Sequence, residues 1–323
     1  MKKLLIAVAM LLTSVATYAE EPFKMEGKPI LTVFTNYKTS LNAENDISGF
    51  NLDRAFIGYG VTLPEGFSAK GVVNVETLNV NGKMEFNTYL KNIQIDWRND
   101  DFFVSMGLIN LMQFSEQERV WGHRYIFKSF QEQYGYTFCE DIGVLVGYNI
   151  SDALSIDVAI TNGEGRKFAN QNNKNRYGIG ATYKPIEGLT LRGYFDYYQD
   201  MLSLTESQDQ ISYALFAGYE HEKFSVGAEY NKSYNFQFAE NIDMSGYSFY
   251  STVPLYKKLD IYGRYDLLKP NKIQNSAFDG DAIIVGVDYA PTTFFRLSPN
   301  FQSMKIGNQK RANYILMSLE LKI

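Results

Sequence analysis

The stretch ANYILMSLELKI, residues 312–323, predicts a β-strand with two different faces. Apolar side chains occupy every second position from Ile315 to Ile323, and most of the positions between them are polar. This period of two places the two sets on opposite faces of a strand. In a membrane such a strand needs a partner on each side, because unpaired backbone groups are costly in lipid. We therefore expect it to close a sheet against the first strand, near residues 31–37.

The same alternation of apolar and polar residues recurs along almost every segment after residue 28. Clear examples are SIDVAITN (155–162), LTLRGYFDY (189–197) and DAIIVGVDY (281–289). We expect short turns at 63–66, 98–101, 150–152, 184–188, 221–223, 254–258 and 290–293, and longer loops at about 39–48, 79–84, 111–140, 162–175, 199–208, 232–244, 268–279 and 305–310. These connections predict about sixteen strands between residues 28 and 323, without an amphipathic helix or a domain boundary.

Aromatic residues at the strand ends favour a membrane barrel over a soluble sandwich, which would show the same alternation. The sequence contains 24 Tyr and 23 Phe, and rings at both ends of a lipid-facing band form the girdles of outer-membrane barrels. The girdle residues are Trp97, Tyr148, Tyr183, Tyr219 and Tyr289 at the turns, and Tyr37, Tyr197, Tyr230 and Tyr265 at the loops. We predict an all-β fold, a transmembrane antiparallel β-barrel with short periplasmic turns and longer extracellular loops. Its expected location is the outer membrane of a Gram-negative bacterium.

The first residues have the features of a secretory signal peptide. Two lysines precede an apolar run, and Ala19 provides a small residue for cleavage. We expect residues 1–19 to be removed and residues 20–323 to form the barrel. A membrane anchor is the alternative, but the run is shorter than the roughly 20 residues that a helical span needs.

Composition and charge exclude several other classes of protein. The formal net charge is −5 and no basic block is present, which argues against nucleic-acid binding. Cys139 is the one cysteine, so an internal disulfide cannot form. No motif for a metal or a cofactor is recognisable, and we expect neither.

Charged residues occupy many of the positions that alternate with the apolar ones. If the apolar face contacts lipid, these charges face the interior, which a packed core would not tolerate but a water-filled channel does. The predicted pore-lining residues are Arg54, Lys70, Glu76, Asp96, Asp157, Arg192, Asp196, Glu229, Asp260, Arg264, Asp288 and Arg296. Acids outnumber bases in this set, which predicts weak selectivity with a slight preference for cations.

The longest predicted connection, residues 111–140, is too apolar for a free external loop. It carries Trp121 and several Phe and Tyr residues, and loops of this length are commonly functional. We expect it to fold into the barrel and to narrow the channel. The charges expected to line this constriction loop are Glu116, Glu118, Arg119, Arg124, Lys128 and Glu132. The alternative is an external loop packed on its neighbours or on another subunit.

Two stretches of the sequence resemble the phosphate-selective porin O and P family. They are KNIQIDWRNDDFFVSMGLINLMQF (91–114) and EDIGVLVGYNISDALSIDVAITNGEG (140–165). The resemblance implies a sixteen-stranded outer-membrane channel that forms a homotrimer, has inward-folded loops and conducts anions such as phosphate. The predicted lumen carries fewer bases than the arginine ladder and lysine cluster that line the pathway in that family.

These patterns favour a porin for passive diffusion of small hydrophilic solutes or ions, and two alternatives stay open. A plugged structural or adhesive barrel would show the same strands. An outer-membrane hydrolase would need a nucleophile and a base, and the histidines are His123 in the longest loop and His221 in a short turn. The partners expected of a porin are outer-membrane lipid, its solutes and further copies of the chain.

Overall fold

Sixteen antiparallel strands form one closed barrel in the computed structural model, which describes residues 26–42, 48–80, 83–166, 173–200, 207–271 and 277–323. The strands are β1 (Glu26–Ser40), β2 (Ser48–Thr62), β3 (Phe67–Val80), β4 (Lys83–Asn99), β5 (Phe102–Asn110), β6 (Glu140–Asn149), β7 (Leu154–Thr161), β8 (Arg176–Tyr183), β9 (Leu189–Tyr198), β10 (Gln210–His221), β11 (Phe224–Tyr234), β12 (Met244–Tyr256), β13 (Leu259–Pro270), β14 (Gly280–Thr292), β15 (Phe295–Ile306) and β16 (Ala312–Lys322). The predictions of an all-β barrel and of about sixteen strands are confirmed. The predicted signal peptide, residues 1–19, lies outside the described residues.

The last strand closes the barrel against the first. In the register of β1 and β16, Thr32 pairs with Lys322 and Ser40 pairs with Tyr314. The pairing extends to Ile323, whose amide donates to the carbonyl of Leu31 at 2.8 Å. Every strand therefore has a partner on both sides, as backbone groups in lipid require.

Short turns gather at one end of the barrel and longer connections at the other, and we call these the turn end and the loop end. The expected longer loop at 79–84 is wrong. There β3 extends to Val80 and β4 begins at Lys83, and these two residues are register partners. The alternation of apolar residues weakens near Asn79, but antiparallel pairing includes Asn79 and Val80.

The outer surface of the barrel is an apolar band between two aromatic girdles. Ile95 is 59% exposed, Ile179 51% and Met317 44%. Aromatic pairs flank this band, with ring centroids 5.0 Å apart for Phe102 and Tyr148 at the turn end, and 5.0 Å apart for Tyr37 and Phe50 at the loop end. Such a surface matches a lipid bilayer with interfacial rings at both faces.

Two β-bulges each turn an extra charged residue into the barrel. In β2 the register passes from Arg54 to Leu52 against β1, which leaves Asp53 without a cross-strand partner. In β4 it passes from Asn92 to Leu90 against β3, which leaves Lys91 unpaired in the ladder. A bulge shifts the inside–outside alternation by one residue. Strict alternation from Ile93 would have placed Lys91 in lipid.

Two short helices lie in the connection between β5 and β6, which differs from the expectation of no helix. They are α1 (Ser115–Trp121) and α2 (Phe130–Gln133). Helix α1 buries Gln117, Val120 and Trp121 on one face and ends at Gly122, whose φ of +67° suits glycine. No helix in the described part of the chain is long and apolar enough to cross a membrane.

Candidate functional site in the barrel interior

The connection at residues 111–139 folds into the barrel and packs on inward-facing apolar side chains. Trp121 is 1% exposed, and its ring centroid lies 5.5 Å from that of Tyr250 and 5.8 Å from that of Tyr262. The buried cluster around it contains Phe34, Phe56, Val72, Val120, Tyr125, Ile126, Phe127, Phe216, Ala282 and Ile284. The barrel interior is therefore not uniformly polar, because its apolar positions form the docking surface for this segment.

Hydrogen bonds from the barrel wall hold the same segment. The Tyr134 hydroxyl donates to Asp266 at 3.0 Å, and the Gln131 amide donates to Asn231 at 2.7 Å. Arg264 donates to the backbone carbonyl of Lys128 at 2.8 Å. Paired polar groups of this kind fix one position of the segment, because moving it would leave buried partners without hydrogen bonds.

His123 is the centre of a further anchor. Its Nδ1 lies 2.9 Å from a guanidinium nitrogen of Arg296 and 3.1 Å from a carboxylate oxygen of Asp288, and its Nε2 lies 2.9 Å from the Thr252 hydroxyl. Burial lowers the pKa of His123, and Asp288 only partly offsets this effect. Both ring nitrogens therefore contact side chains of the barrel wall, and this geometry fits an anchor of the segment rather than a catalytic base.

Three of the predicted pore-lining acids, Asp157, Asp196 and Asp288, are buried in ion pairs behind the docked segment. Arg192 binds Asp157 at 2.7 Å, and Arg176 binds Asp196. Asp288 binds Arg296 and also accepts from Tyr125. Of the other predicted residues in this region, Glu229 accepts from Asn231 at 3.3 Å, Arg264 pairs with Asp266 at 2.8 Å, and Asp260 is half-buried.

Two cavities remain beside the segment, along the wall formed by β1–β4 and β16. The turn-end cavity has a volume of about 690 Å³ and reaches Lys70 and Lys322. The loop-end cavity has a volume of about 740 Å³ and reaches Lys38 and Glu76. They follow one another along β1, with Ile30 and Thr32 lining the first and Asn36 and Lys38 lining the second.

The two cavities meet at Phe34 and Arg124, which line both of them. Glu132 lies at this junction, 3.0 Å from Arg54 and 2.7 Å from Arg124. Burial alone would raise the pKa of Glu132, but Arg124, Arg54 and Lys128 outweigh it and lower that pKa to about 2. Glu132 is therefore ionised near neutral pH and holds the surrounding cations in place.

Cationic side chains outnumber acidic ones in both cavities, among the residues that the structure describes. The turn-end cavity is lined by Lys70, Lys91, Arg119, Arg124, Arg296 and Lys322 against Glu118, Glu140 and Glu320. The loop-end cavity is lined by Lys38, Arg54, Arg124 and Lys128 against Asp53 and Glu76. The charge along these cavities thus has the opposite sign to the acid-rich lumen expected from alternation.

The remaining predicted residues are distributed between the cavities and their surroundings. Asp96 accepts hydrogen bonds from Gln94 and Ser105 in a smaller cavity beside β4–β7. Glu116 lines neither of the two larger cavities and binds Arg119 at 2.8 Å and Lys184 at 3.2 Å. Glu118 binds Arg124 at 2.8 Å.

Lys38 and Lys91 line the cavities although the sequence reasoning did not select them. Lys38 has the inward parity of Asn36, and its ammonium lies 3.6 Å from the ring centroid of Tyr314. Lys91 turns inward at the bulge and pairs with Glu140. The sequence indicates that bulge because the outward residues Leu90 and Ile93 are three positions apart, whereas regular alternation would separate them by two.

A closed barrel of sixteen strands, with an apolar exterior and a chain segment folded into a charged lumen, is the fold of outer-membrane porins. OmpF of Salmonella typhi is similar, with 11% identity and a TM-score of 0.72 over 93% of this chain and 98% of that one. An anion-selective porin from Comamonas acidovorans has 10% identity and a TM-score of 0.69 over 93% and 100%. The trimer form of OmpT, an outer membrane protein of Vibrio cholerae, has 13% identity and a TM-score of 0.65 over 93% and 99%.

These similarities are structural, and they establish the fold alone. No protein-family model and no curated protein matches the sequence. The predicted membership of the phosphate-selective porin family is therefore not confirmed, whereas the porin fold is shared with proteins from several bacteria.

Proposed function

We propose that the protein is an outer-membrane porin through which small hydrophilic anions diffuse passively. The observation that carries this proposal is the excess of cations lining two successive cavities. A channel lined by one sign of charge concentrates ions of the opposite sign. The turn end faces the periplasm in this proposal and the loop end faces the exterior.

The docked segment supports the preference for anions because it covers several acidic side chains of the barrel interior. It covers Asp157, Asp196 and Asp266, each of which pairs with an arginine. Covered and paired acids contribute little to the potential in the open path. Lys70 and Lys322 have no ion-pair partner within 4 Å among the described residues, so they remain available to a passing anion.

Liposome swelling tests this proposal directly. Liposomes that contain the purified protein should swell faster in solutions of small anionic solutes than in solutions of cationic solutes of equal size. Protein-free liposomes and liposomes with heat-denatured protein are the controls. Equal swelling in both solutions would contradict the anion preference, and absence of swelling would contradict the channel.

A plugged barrel is the second candidate, because the docked segment reaches across the lumen. Phe34 on β1 lies 6.4 Å from Tyr125 between ring centroids, and Arg54 on β2 binds Glu132. A structural or adhesive barrel would keep this junction shut. Single-channel recordings separate the two candidates, since a plugged barrel gives no conductance steps and a porin gives steps of constant size.

We further propose that the protein forms a homotrimer. OmpT of Vibrio cholerae has a trimer form and shares this fold. A barrel with an apolar band can associate with other copies within the membrane. Mass determination in mild detergent should give three copies, and a single copy at every detergent concentration would contradict the proposal.

A further inference from the structure

The turn-end cavity combines an apolar wall with Lys70 and Lys322, which form no ion pair with the residues that the structure describes, and no site residue predicted from the sequence lies on that wall. The wall consists of Ile30, Phe34, Phe56, Val72, Leu111 and Phe114. Phe34 and Phe56 are 6% and 8% exposed, and their rings meet edge to face at 5.9 Å. These rings are therefore held in place before any solute arrives.

The cations of the same cavity stand next to this apolar wall. Lys70 and Val72 both point inward from β3, two residues apart. Lys322 is the register partner of Thr32 on β1, between Ile30 and Phe34. The Lys91 ammonium lies 5.2 Å from the ring centroid of Phe56. A solute in this cavity would thus meet charge and apolar surface on adjacent sides.

We propose that the turn-end cavity binds organic anions in which a carboxylate is attached to an apolar body, in preference to inorganic phosphate. This inference rests on the proposed channel function and names the class of solute that the channel favours. Cavities for small molecules are mostly apolar with a few placed charges, and typical volumes are roughly 300–1,000 Å³. The carboxylate pairs with Lys70 or Lys322, and the body packs on Ile30 and on the cavity-facing edges of Phe34 and Phe56.

Inorganic phosphate matches this cavity less well. Phosphate would pair with the lysines but would gain nothing from the apolar wall, and the lysines would replace only part of the hydration of its dense charge. A monocarboxylate with an aromatic or branched body satisfies both surfaces. The two cavities also differ in this respect, because the lining of the turn-end cavity is the more apolar and that of the loop-end cavity the more polar.

Block of the chloride current in planar bilayers tests the proposal. Benzoate added at the turn end should halve the single-channel chloride current at a concentration about tenfold lower than acetate or inorganic phosphate requires. Acetate shares the carboxylate and lacks the body, whereas phosphate shares only the charge.

Two variants and one control assign the effect to the cavity. Ile30→Thr keeps the branched Cβ of a strand residue at a half-buried position of the wall, and it should weaken block by benzoate while leaving block by phosphate unchanged. Lys70→Met should weaken block by both anions. Leu316→Thr changes an apolar residue that lines only the loop-end cavity, and it should change neither value.

The possible results separate this inference from the channel function. Equal blocking concentrations for benzoate, acetate and phosphate, with chloride current intact, would overturn the organic-anion site and leave the porin. Failure to record any current would overturn both. The comparison of anions on the unaltered protein decides the question even if a variant fails to fold.

Discussion

Lys91 shows how a β-bulge can add a charged residue to the wall of the barrel interior. Alternation along β4 would place it in lipid, but the bulge turns it inward to Glu140. The apolar residues step by three at this point, from Leu90 to Ile93, and a similar step from Leu52 to Ala55 marks the bulge at Asp53. A break in the two-residue alternation of apolar and polar residues therefore predicts a bulge in this sequence.

Glu132 is the residue whose removal should change selectivity most. The Glu132→Gln variant leaves Arg54 and Arg124 without their shared carboxylate at the junction of the cavities. We expect the ratio of chloride to potassium permeability to rise by about twofold or more, because one negative charge leaves the junction of the two cavities. Glu116→Gln is the matched control, since Glu116 lies on the same segment but binds Arg119 and Lys184 rather than the arginines at the junction. A fall in the ratio for Glu132→Gln would contradict the assignment of the junction.

The protonation of His123 should weaken the docking of the segment in acid. Burial lowers the pKa of His123 from its ordinary value of 6.5, so a displaced segment takes up a proton before the docked one does. Docking is therefore fully stable above about pH 6.5 and loses free energy as the pH falls below that value.

Trp121 reports this change once the other tryptophan is removed. In a Trp97→Phe background, the emission of Trp121 should shift to longer wavelength between about pH 7 and pH 4. The additional change His123→Gln should abolish the shift in this range. An identical shift with and without His123 would show that other groups control docking.

The sequence predicted that the inserted segment lies inside the barrel, but it did not predict the helices of that segment. Its aromatic content indicated that it would not remain outside. Helix α1 was missed because seven residues are too short for an amphipathic period to stand out. The docking surface was missed because inward apolar residues such as Phe216 and Ile284 look like interruptions of the strand pattern until the segment that covers them is known.

Gly246 provides a test of that docking at the level of the element. A Cβ at Gly246 would lie 2.3 Å from the ring of Phe130 in α2, whereas a Cβ at Gly263 would have its nearest neighbour at 3.8 Å. Gly246→Ala should displace α2 at a cost of about 1–3 kcal/mol, increase the conductance and expose the segment to protease. Gly263→Ala, on the outer face of the adjacent strand, should behave like the unaltered protein. Equal behaviour of the two variants would contradict tight docking at Phe130.

The whole molecule follows from the alternation of its strands more directly than from any motif. Strand number, closure and the apolar band were predictable because lipid on one side and water on the other enforce a strict period. The sign of the channel charge was not predictable by counting inward residues. The docked segment covers the acids that pair with Arg176, Arg192 and Arg264. Its position depends on tertiary contacts, and some of these join residues more than a hundred positions apart in the sequence.

Barrel closure depends on β16, the last strand of the barrel. Deletion of residues 312–323 would leave β1 and β15 with unpaired edges in lipid. We expect the shortened protein to lose the compact form that migrates faster than the denatured chain in unheated gel samples. Leu319→Ile, which keeps the strand and its outer face, should retain that form. A compact shortened protein would show that closure does not require this strand.

The zero-current potential across a bilayer in a potassium chloride gradient tests the central claim most directly. With the channel in place, chloride should cross faster than potassium because the cavities carry an excess of lysine and arginine. The dilute side should therefore become negative relative to the concentrated side. A dilute side that becomes positive would show that the acids of the lumen, and not the cations of the two cavities, determine which ions pass.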